Sequence, residues 1–407
     1  MQKIGKRALR WPVLLLALVT CYTLALLAVY AIPDRWIQRN VDSALGILEE
    51  EGADGYGYAN YFWHNGYGVA DYLTDRVMFK GLVRGDRTVA QGAMHTDYIR
   101  YWHGYSVLLR PLCTVLSLIN LRYVNMLLVY GLLGLCYYHC RRRLGAWTAF
   151  FFGAGLVMTN LPLAAFCQQF LTVTLLTLLA CYLLLRFWNK LRGWLPEYFL
   201  ILGSLVCFFD FLTFPVLALG YPLLVALLLQ VKERQGAKTL WANTIGLSAV
   251  WMAAYALTWL CKAPVGTLLT GRDVLGNILA QVAFRTTGDW EYVQVSPADS
   301  ILINLRTFFI GSAIGCFAMM LLAAVLRIIR GGGIPISRWA MAVRPAGGRG
   351  GAVALRLVLR FAKPCAPALL DDQQAAGGNR FRPAGLSDGG NPRRPDRKKW
   401  LVTGSGY

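Results

Sequence analysis

Long apolar stretches alternate with short basic ones along the chain, and that rhythm is its first structural signal. A helix needs about 20 apolar residues to cross a hydrocarbon core about 30 Å thick. Runs of that kind lie at 11–32, 122–138, 146–166, 170–188, 240–260 and 307–329. The stretch 196–231 divides at FFDFLTFP, where Asp210 and Pro215 mark a turn, into spans at 196–210 and 214–231. The pattern predicts an all-α polytopic membrane protein with about eight transmembrane helices, the membrane core occupying residues 1–337.

Alternate helix ends meet cations: Arg141, Arg142 and Arg143, then Lys190 and Arg192, then Lys232, Arg234 and Lys238, then Arg327 and Arg330. Cytoplasmic loops collect Lys and Arg, so these ends and the basic opening MQKIGKRALR are expected on the cytoplasmic side of a bacterial inner membrane. The first run is too long for a signal-peptide core and lacks a small-residue cleavage site, so it reads as a span. Two polar intervals, 33–121 and 262–306, then fall on the outer side. The first holds ten of the 21 acidic residues of the chain, and a loop of that length usually has a function. Inside it, 106–120 is apolar but too short to span and carries Arg110 and Pro111. It predicts a helix lying in the membrane plane or re-entering from the outer face. The second interval carries an amphipathic stretch around 274–284.

Composition agrees with this picture. Of 407 residues, 56% are hydrophobic and 15% charged, with a mean hydropathy of +0.45. A soluble enzyme would be about 25% charged, so that class is excluded. A net charge of +20 would ordinarily point to nucleic acid. Here 338–407 contributes 13 Lys plus Arg against 4 Asp plus Glu, and the remaining excess lies at helix ends. Membrane lipid is therefore the expected partner, and no nucleic acid is.

That last segment also holds 11 of the 41 glycines and 6 of the 16 prolines, without a spanning run. It reads as a disordered basic tail, or as out-of-frame translation of a GC-rich gene. With suitable codons, a one-nucleotide shift turns 359–373 and 383–391 into membrane-like sequence. The ten cysteines form no Cys-x-x-Cys pair. Cys136 and Cys140 flank His139 in CYYHC, where packing is the simpler reading than a closed metal site.

No Walker, Rossmann or zincin motif is present. Candidate chemistry sits in the first outer interval. Asp71 and Asp75 in ADYLTD are four residues apart and would share a helix face. Such a pair can supply a base, hold a divalent cation such as Mg or Mn through hard oxygen ligands, or simply form a solvated acidic face. In YIRYWHGYSVLLRP, Arg100, His103 and Arg110 lie among Tyr101, Trp102 and Tyr105. Aromatic belts and snorkelling arginines are ordinary at a membrane edge. An ionisable residue inside an apolar run is nonetheless a functional candidate, and arginine suits bidentate phosphate recognition. Asp210, between two phenylalanines, is the other costly charge and is expected to line a cavity or sit at a wet rim. His64 and His95 read as solvated loop histidines.

A basic N-terminus, one span, and a large acidic outer loop with an in-plane helix before the second span resemble the plan of the GT-C superfamily of polytopic glycosyltransferases. The likeness is one of topology and covers residues 1–330. ADYLTDRVMF and YIRYWHGYSVLLRPL also look like the outer loop of a family of uncharacterised bacterial membrane proteins. That family carries an Asn-His pair near its C-terminus, which fits the shifted frame. The resemblance implies transfer of a sugar from a polyprenyl-phosphate donor to an extracytoplasmic glycan, lipid or protein. Direct displacement needs a carboxylate to deprotonate the acceptor and cations to neutralise the departing phosphate. Asp75 or Asp71 would supply the first, as base or cation ligand. Arg100, His103 and Arg110 would supply the second, and Asp210, Tyr101, Trp102 and Tyr105 would line the cavity. A transporter or flippase is the main alternative, but it would more often show internal repeats and mid-membrane charges. A non-enzymatic envelope protein explains the clustered outer charges less well.

Overall fold

The computed structural model describes residues 10–52, 72–95, 98–159, 161, 163–210 and 214–287. All lie in the first of two compact units, Met1–Pro364. Among the described residues every regular element is helical. In chain order these are α1 (Arg10–Tyr30), α2 (Gln38–Gly52), α3 (Tyr72–Leu82), α4 (Val89–Ala93), α5 (Ser106–Leu112), α6 (Leu118–Leu144) and α7 (Ala146–Met158). They continue with α8 (Leu163–Phe166), α9 (Gln168–Leu191), α10 (Leu195–Phe209), α11 (Pro215–Lys232), α12 (Ala237–Thr270) and α13 (Val274–Thr287).

Among the described residues, five helical segments are long and apolar enough to cross a membrane: Arg10–Tyr30, Leu118–Leu144, Gln168–Phe209, Pro215–Lys232 and Ala237–Thr270. The third folds back on itself. Phe187 leaves helical geometry and a 3-10 turn, Arg192–Trp194, separates α9 from α10. The Tyr198 hydroxyl then donates to the Ala180 carbonyl at 2.8 Å. In continuous helix those residues would be about 27 Å apart, at 1.5 Å per residue. The predicted spans 170–188 and 196–210 are therefore the two arms of a helical hairpin.

Three predicted boundaries change. The run 146–166 is not one helix: α7 stops at Met158 and a separate four-residue α8 follows. Pro162 explains the break, because proline lacks an amide donor and disfavours helix in the residue before it. The helix predicted over 240–260 runs on through Lys262 to Thr270, where Gly271 ends it in the left-handed conformation (φ 69°). The outer interval expected to open at 262 therefore starts later, and α13 takes the place of its amphipathic stretch. The first interval ends at Ser117, whose hydroxyl accepts from the Asn120 amide and caps α6. The predicted span 307–329 and the tail 338–407 lie outside the described residues.

The described residues of the first polar interval form a packed cap. Ile37, just before α2, and Val41, Ala44 and Leu48 on it fall on one stripe and bury against Met78, Phe79 and Leu82 of α3 and Leu118 and Leu121 of α6. The helix expected in the membrane plane over 106–120 is shorter, as α5, and Ser106, Leu109 and Arg110 are buried within the cap. Below it, the membrane helices approach closely. A Cβ on Gly203 of α10 would stand 2.4 Å from the Trp251 carbonyl of α12, the small-residue contact that membrane helices favour. Tyr22, Ser204 and Thr258 join α1, α10 and α12 through hydroxyl contacts of 3.1 and 2.8 Å. At the far end, the Arg143 guanidinium donates to the Arg186 carbonyl at 3.0 Å and Lys232 donates to the Arg143 carbonyl.

Candidate functional site

The cap gathers most of the candidate residues at the ends of α1, α9, α10 and α12, but assigns several of them tasks the pattern did not anticipate. Arg110 is wholly buried. Its guanidinium donates to the carbonyls of Val29 (2.8 Å), Ile32 (2.6 Å) and Leu82, and to the Asp34 carboxylate at 2.5 Å. It also lies 4.6 Å from the Tyr30 ring centroid. Carbonyls at helix ends lack intrahelical partners, and Arg110 satisfies those of Ile32 and Leu82; the Val29 carbonyl also accepts from the Ile32 amide at 3.2 Å. The phosphate-binding role expected for Arg110 gives way to a clamp between two helix ends.

Asp34 completes that clamp by accepting from the Arg84 and Gly85 amides at 3.0 and 2.8 Å. Burial acts to raise its pKa, but the Arg110 hydrogen bond and the two amides outweigh burial and hold the carboxyl below its ordinary value.

Asp75 is also redirected. It was a candidate for an exposed helix face, and it is fully buried. Its two carboxylate oxygens accept from the amides of Gln168 (2.8 Å) and Gln169 (3.0 Å). These are the first residues of α9, so Asp75 caps a membrane helix from another element, where a negative charge meets the positive end of the helix dipole. With both oxygens so engaged, Asp75 suits a cap better than a base or a cation ligand. Asp71 and His64 lie outside the described residues. Among the described residues, no group of three or more His, Cys, Asp or Glu is arranged to hold a metal ion. Cys136 and Cys140 are buried, and the Cys136 thiol donates to the Leu178 carbonyl at 3.1 Å. His139 packs edge-on to Tyr182. The CYYHC block is packing.

His95 and His103 form the centre of the cap. The rings stack with centroids 3.9 Å apart and planes inclined by 13°. Both are buried, and both take positive φ, 50° and 57°, a backbone conformation that costs about 1–3 kcal/mol and persists where surroundings enforce it. The Tyr98 carbonyl can only accept, so His103 Nε2 donates to it at 2.8 Å and Nδ1 accepts from the Tyr105 hydroxyl at 3.4 Å. The Tyr30 hydroxyl donates to the Gly81 carbonyl at 2.7 Å, leaving its oxygen to accept from His95 Nε2 at 2.6 Å. The solvated loop histidine expected at 95 is thus an interior one.

Burial, then the neighbouring His103, Lys262, Arg87 and Arg110, push the His95 pKa well down. Burial and Lys262 push His103 down to about 3, against the opposing Tyr98 hydrogen bond. The sign of the consequence follows. An unfolded histidine titrates near 6.5, so below that pH the unfolded chain gains protons that the folded one refuses. Acidification from pH 6.5 toward 4.5 should lower the folding equilibrium up to about tenfold per pH unit for each histidine. A denaturation series across that range checks this. A His95→Asn/His103→Asn double variant, whose residues tolerate positive φ, should flatten the profile.

Trp102 and Arg100 fasten the block to α12. The Trp102 indole donates to the Thr258 carbonyl at 2.8 Å, and the Trp259 indole donates to the Arg100 carbonyl at 3.1 Å. One turn further on, the buried Lys262 ammonium lies 3.3 Å from the Met94 carbonyl, 3.2 Å from its sulfur and 5.3 Å from the Trp102 ring centroid. The Arg100 guanidinium stacks 3.9 Å over Tyr98 and 5.5 Å from the Tyr101 centroid. On the same α12 face, Tyr255 is within electrostatic reach of both Tyr101 and Asp210. Asp210 is buried in extended backbone at the end of α10. Next to it, Gly104 donates to the Phe208 carbonyl at 2.9 Å.

Lys262 escapes a linear reading because it resembles a loop boundary. The signal for it is an ionisable residue set within continuing apolar sequence, WLCKAPVGTLL. Gln168 is another: its side chain is 1% exposed, and neither amide atom has a hydrogen-bond partner. The chain matches no family model, no curated protein and no solved structure, so what it does has to be argued from this all-α, multi-pass membrane architecture itself.

Proposed function

We propose that the chain is a membrane glycosyltransferase of the GT-C type. It would move a sugar from a polyprenyl-phosphate donor to an extracytoplasmic glycan, lipid or protein acceptor. The cap would lie outside a bacterial inner membrane, with the N-terminus in the cytoplasm. One observation carries the reading. A buried carboxylate, Asp210, and a buried guanidinium, Arg100, flank Tyr101 and Tyr255 where membrane-length helices meet the cap. Such placement is costly and marks function by default. Asp210 takes the base role in place of Asp75, whose carboxylate oxygens are engaged by the Gln168 and Gln169 amides; Asp71 lies outside the described residues. Arg100, with Lys262 behind it, carries the charge expected to offset a departing lipid phosphate, in place of Arg110. His103, Trp102 and Tyr105 hold these groups in position.

The test is sugar transfer by full-length protein in proteoliposomes, supplied with a panel of synthetic short-chain polyprenyl-phosphate hexoses and an envelope glycan acceptor. Loss of a general base costs roughly 10²–10⁴-fold. Asp210→Asn should therefore fall by at least about 100-fold while keeping its thermal stability. Transfer at the wild-type rate by that variant, or none by wild type with any donor, would refute the reading.

A further inference from the structure

Between them, α7 and α11 leave a cavity of about 1240 Å³. Its walls are almost wholly apolar. Trp147, Phe151 and Gly155 come from α7, and Gly220, Tyr221 and Leu224 from α11. The lining runs from Leu144 to Thr159 along α7, whose 13 residues span about 20 Å at 1.5 Å per residue, about two thirds of a hydrocarbon core about 30 Å thick. Gly155 admits the Tyr221 hydroxyl, 2.8 Å from where its Cβ would stand, and Gly220 leaves open space. A Cβ on Gly220 would meet nothing within 4 Å.

The two ends of this groove differ in charge. Its cap end closes on Phe214 and Thr159, four residues along the chain from the Asp210 carboxylate. Its other end begins at Leu144 and Gly145, directly after Arg141, Arg142 and Arg143. There Lys232, at the end of α11, donates to the Arg143 carbonyl, and the Arg143 guanidinium donates to the Arg186 carbonyl at 3.0 Å, so both cations lie beside this mouth, Arg143 next in sequence to the lining residue Leu144. The nearby Glu233 carboxylate is turned to the Trp188 indole (2.7 Å) and Arg192 (3.1 Å). A chain-shaped apolar slot with a basic rim is the form in which helix bundles hold acidic lipids.

We infer that this groove is a binding site for an anionic phospholipid. Its acyl chain lies between α7 and α11, and its phosphate sits at Arg143 and Lys232. The charge asymmetry selects this occupant. A zwitterionic lipid, whose phosphate is offset by its own cation, gains less from two cations than an anionic one does. The site stands apart from the proposed transfer chemistry and is read out without it.

The test uses full-length protein exchanged into mixed micelles of equal phosphatidylglycerol and phosphatidylcholine, with retained lipid counted by native mass spectrometry. Wild type should retain phosphatidylglycerol at least fivefold over phosphatidylcholine. Arg143→Gln/Lys232→Gln should bring the ratio close to one. Arg141→Gln, about 200° around the helix from Arg143, should leave it unchanged. Gly220→Phe, which fills the slot without a backbone clash, should lower retention of both lipids. Equal retention of the two lipids by wild type overturns the proposal, as does full retention by Gly220→Phe, which would place the lipid elsewhere or the groove under another occupant. An Arg141→Gln effect as large as that of the double variant also overturns it, since the attraction would then be diffuse.

Discussion

Arg110→Met is expected to destabilise the folded chain by about 3–5 kcal/mol, the cost of removing one partner from a buried ion pair. The deletion strands more than Asp34. The carbonyls of Ile32 and Leu82 lose their donor inside a layer where Arg110 itself has no exposed surface, while the Val29 carbonyl keeps the Ile32 amide at 3.2 Å. Each buried acceptor left unpaired costs about 1–3 kcal/mol. Arg110→Lys should be nearly as damaging, because a single ammonium cannot reach three divergent carbonyls and a carboxylate together. Asp34→Asn should cost less, since the carbonyls keep their donor. Scanning calorimetry in detergent would show the ranking, with a drop in Tm of roughly 10 °C for the methionine variant. A methionine variant that melts with wild type would return Arg110 to the phosphate role. The Asp34 share of this stability is complete above the ordinary carboxylate range and is lost only as pH falls through its lowered folded value.

Gly104→Ala should have the second largest effect. Its added Cβ would stand 2.5 Å from both the Phe208 carbonyl and the Phe208 ring. Backbone on both sides must then separate, and the Gly104–Phe208 hydrogen bond of 2.9 Å opens with it. Overpacking of this kind costs about 1–3 kcal/mol. Because Phe208 is two residues from Asp210 and Gly104 follows His103, the shift acts where the buried charges meet. Folded Gly104→Ala protein should therefore lose sugar transfer by more than tenfold while its melting point falls by only several degrees. Unaltered transfer would mean that the register between the cap and α10 is not part of the site. Gly85, whose Cβ would meet open space at φ 61°, gives the control: its alanine variant strains the backbone without a clash.

The membrane helices were legible because a span is announced by the length of an apolar run and its basic end, both read along a line. The hairpin of α9 and α10 shows this, with its turn at the basic Lys190–Arg192 stretch. The break in α7 was less legible. A proline four residues from the end of a 21-residue run lowers helix preference there, but hydropathy averages over it. Candidate chemistry was legible by residue type more than by role. Arg100, His103, Arg110, Asp75 and Asp210 are all buried, as costly charges in a functional or structural core would be. Which of the two they serve depends on partners. Arg110 binds atoms 28 to 81 residues away, and Asp75 binds the start of a helix 93 residues away.

The chain alone, then, determined a helical membrane architecture, the basic side of that architecture, and a polar layer rich in Asp, Arg and aromatic residues between the first two spans. Hydrophobic length and charge placement are properties of consecutive residues, and the bilayer acts on them directly. Tertiary structure alone decided that Asp75 caps α9, that Arg110 closes two helix ends, that His95 and His103 stack beside Lys262, and that α7 and α11 leave a groove with a basic mouth. The physical reason is that a buried polar group is defined by the atoms satisfying it, and here those atoms are mostly backbone carbonyls and amides, which every residue carries and no sequence pattern marks.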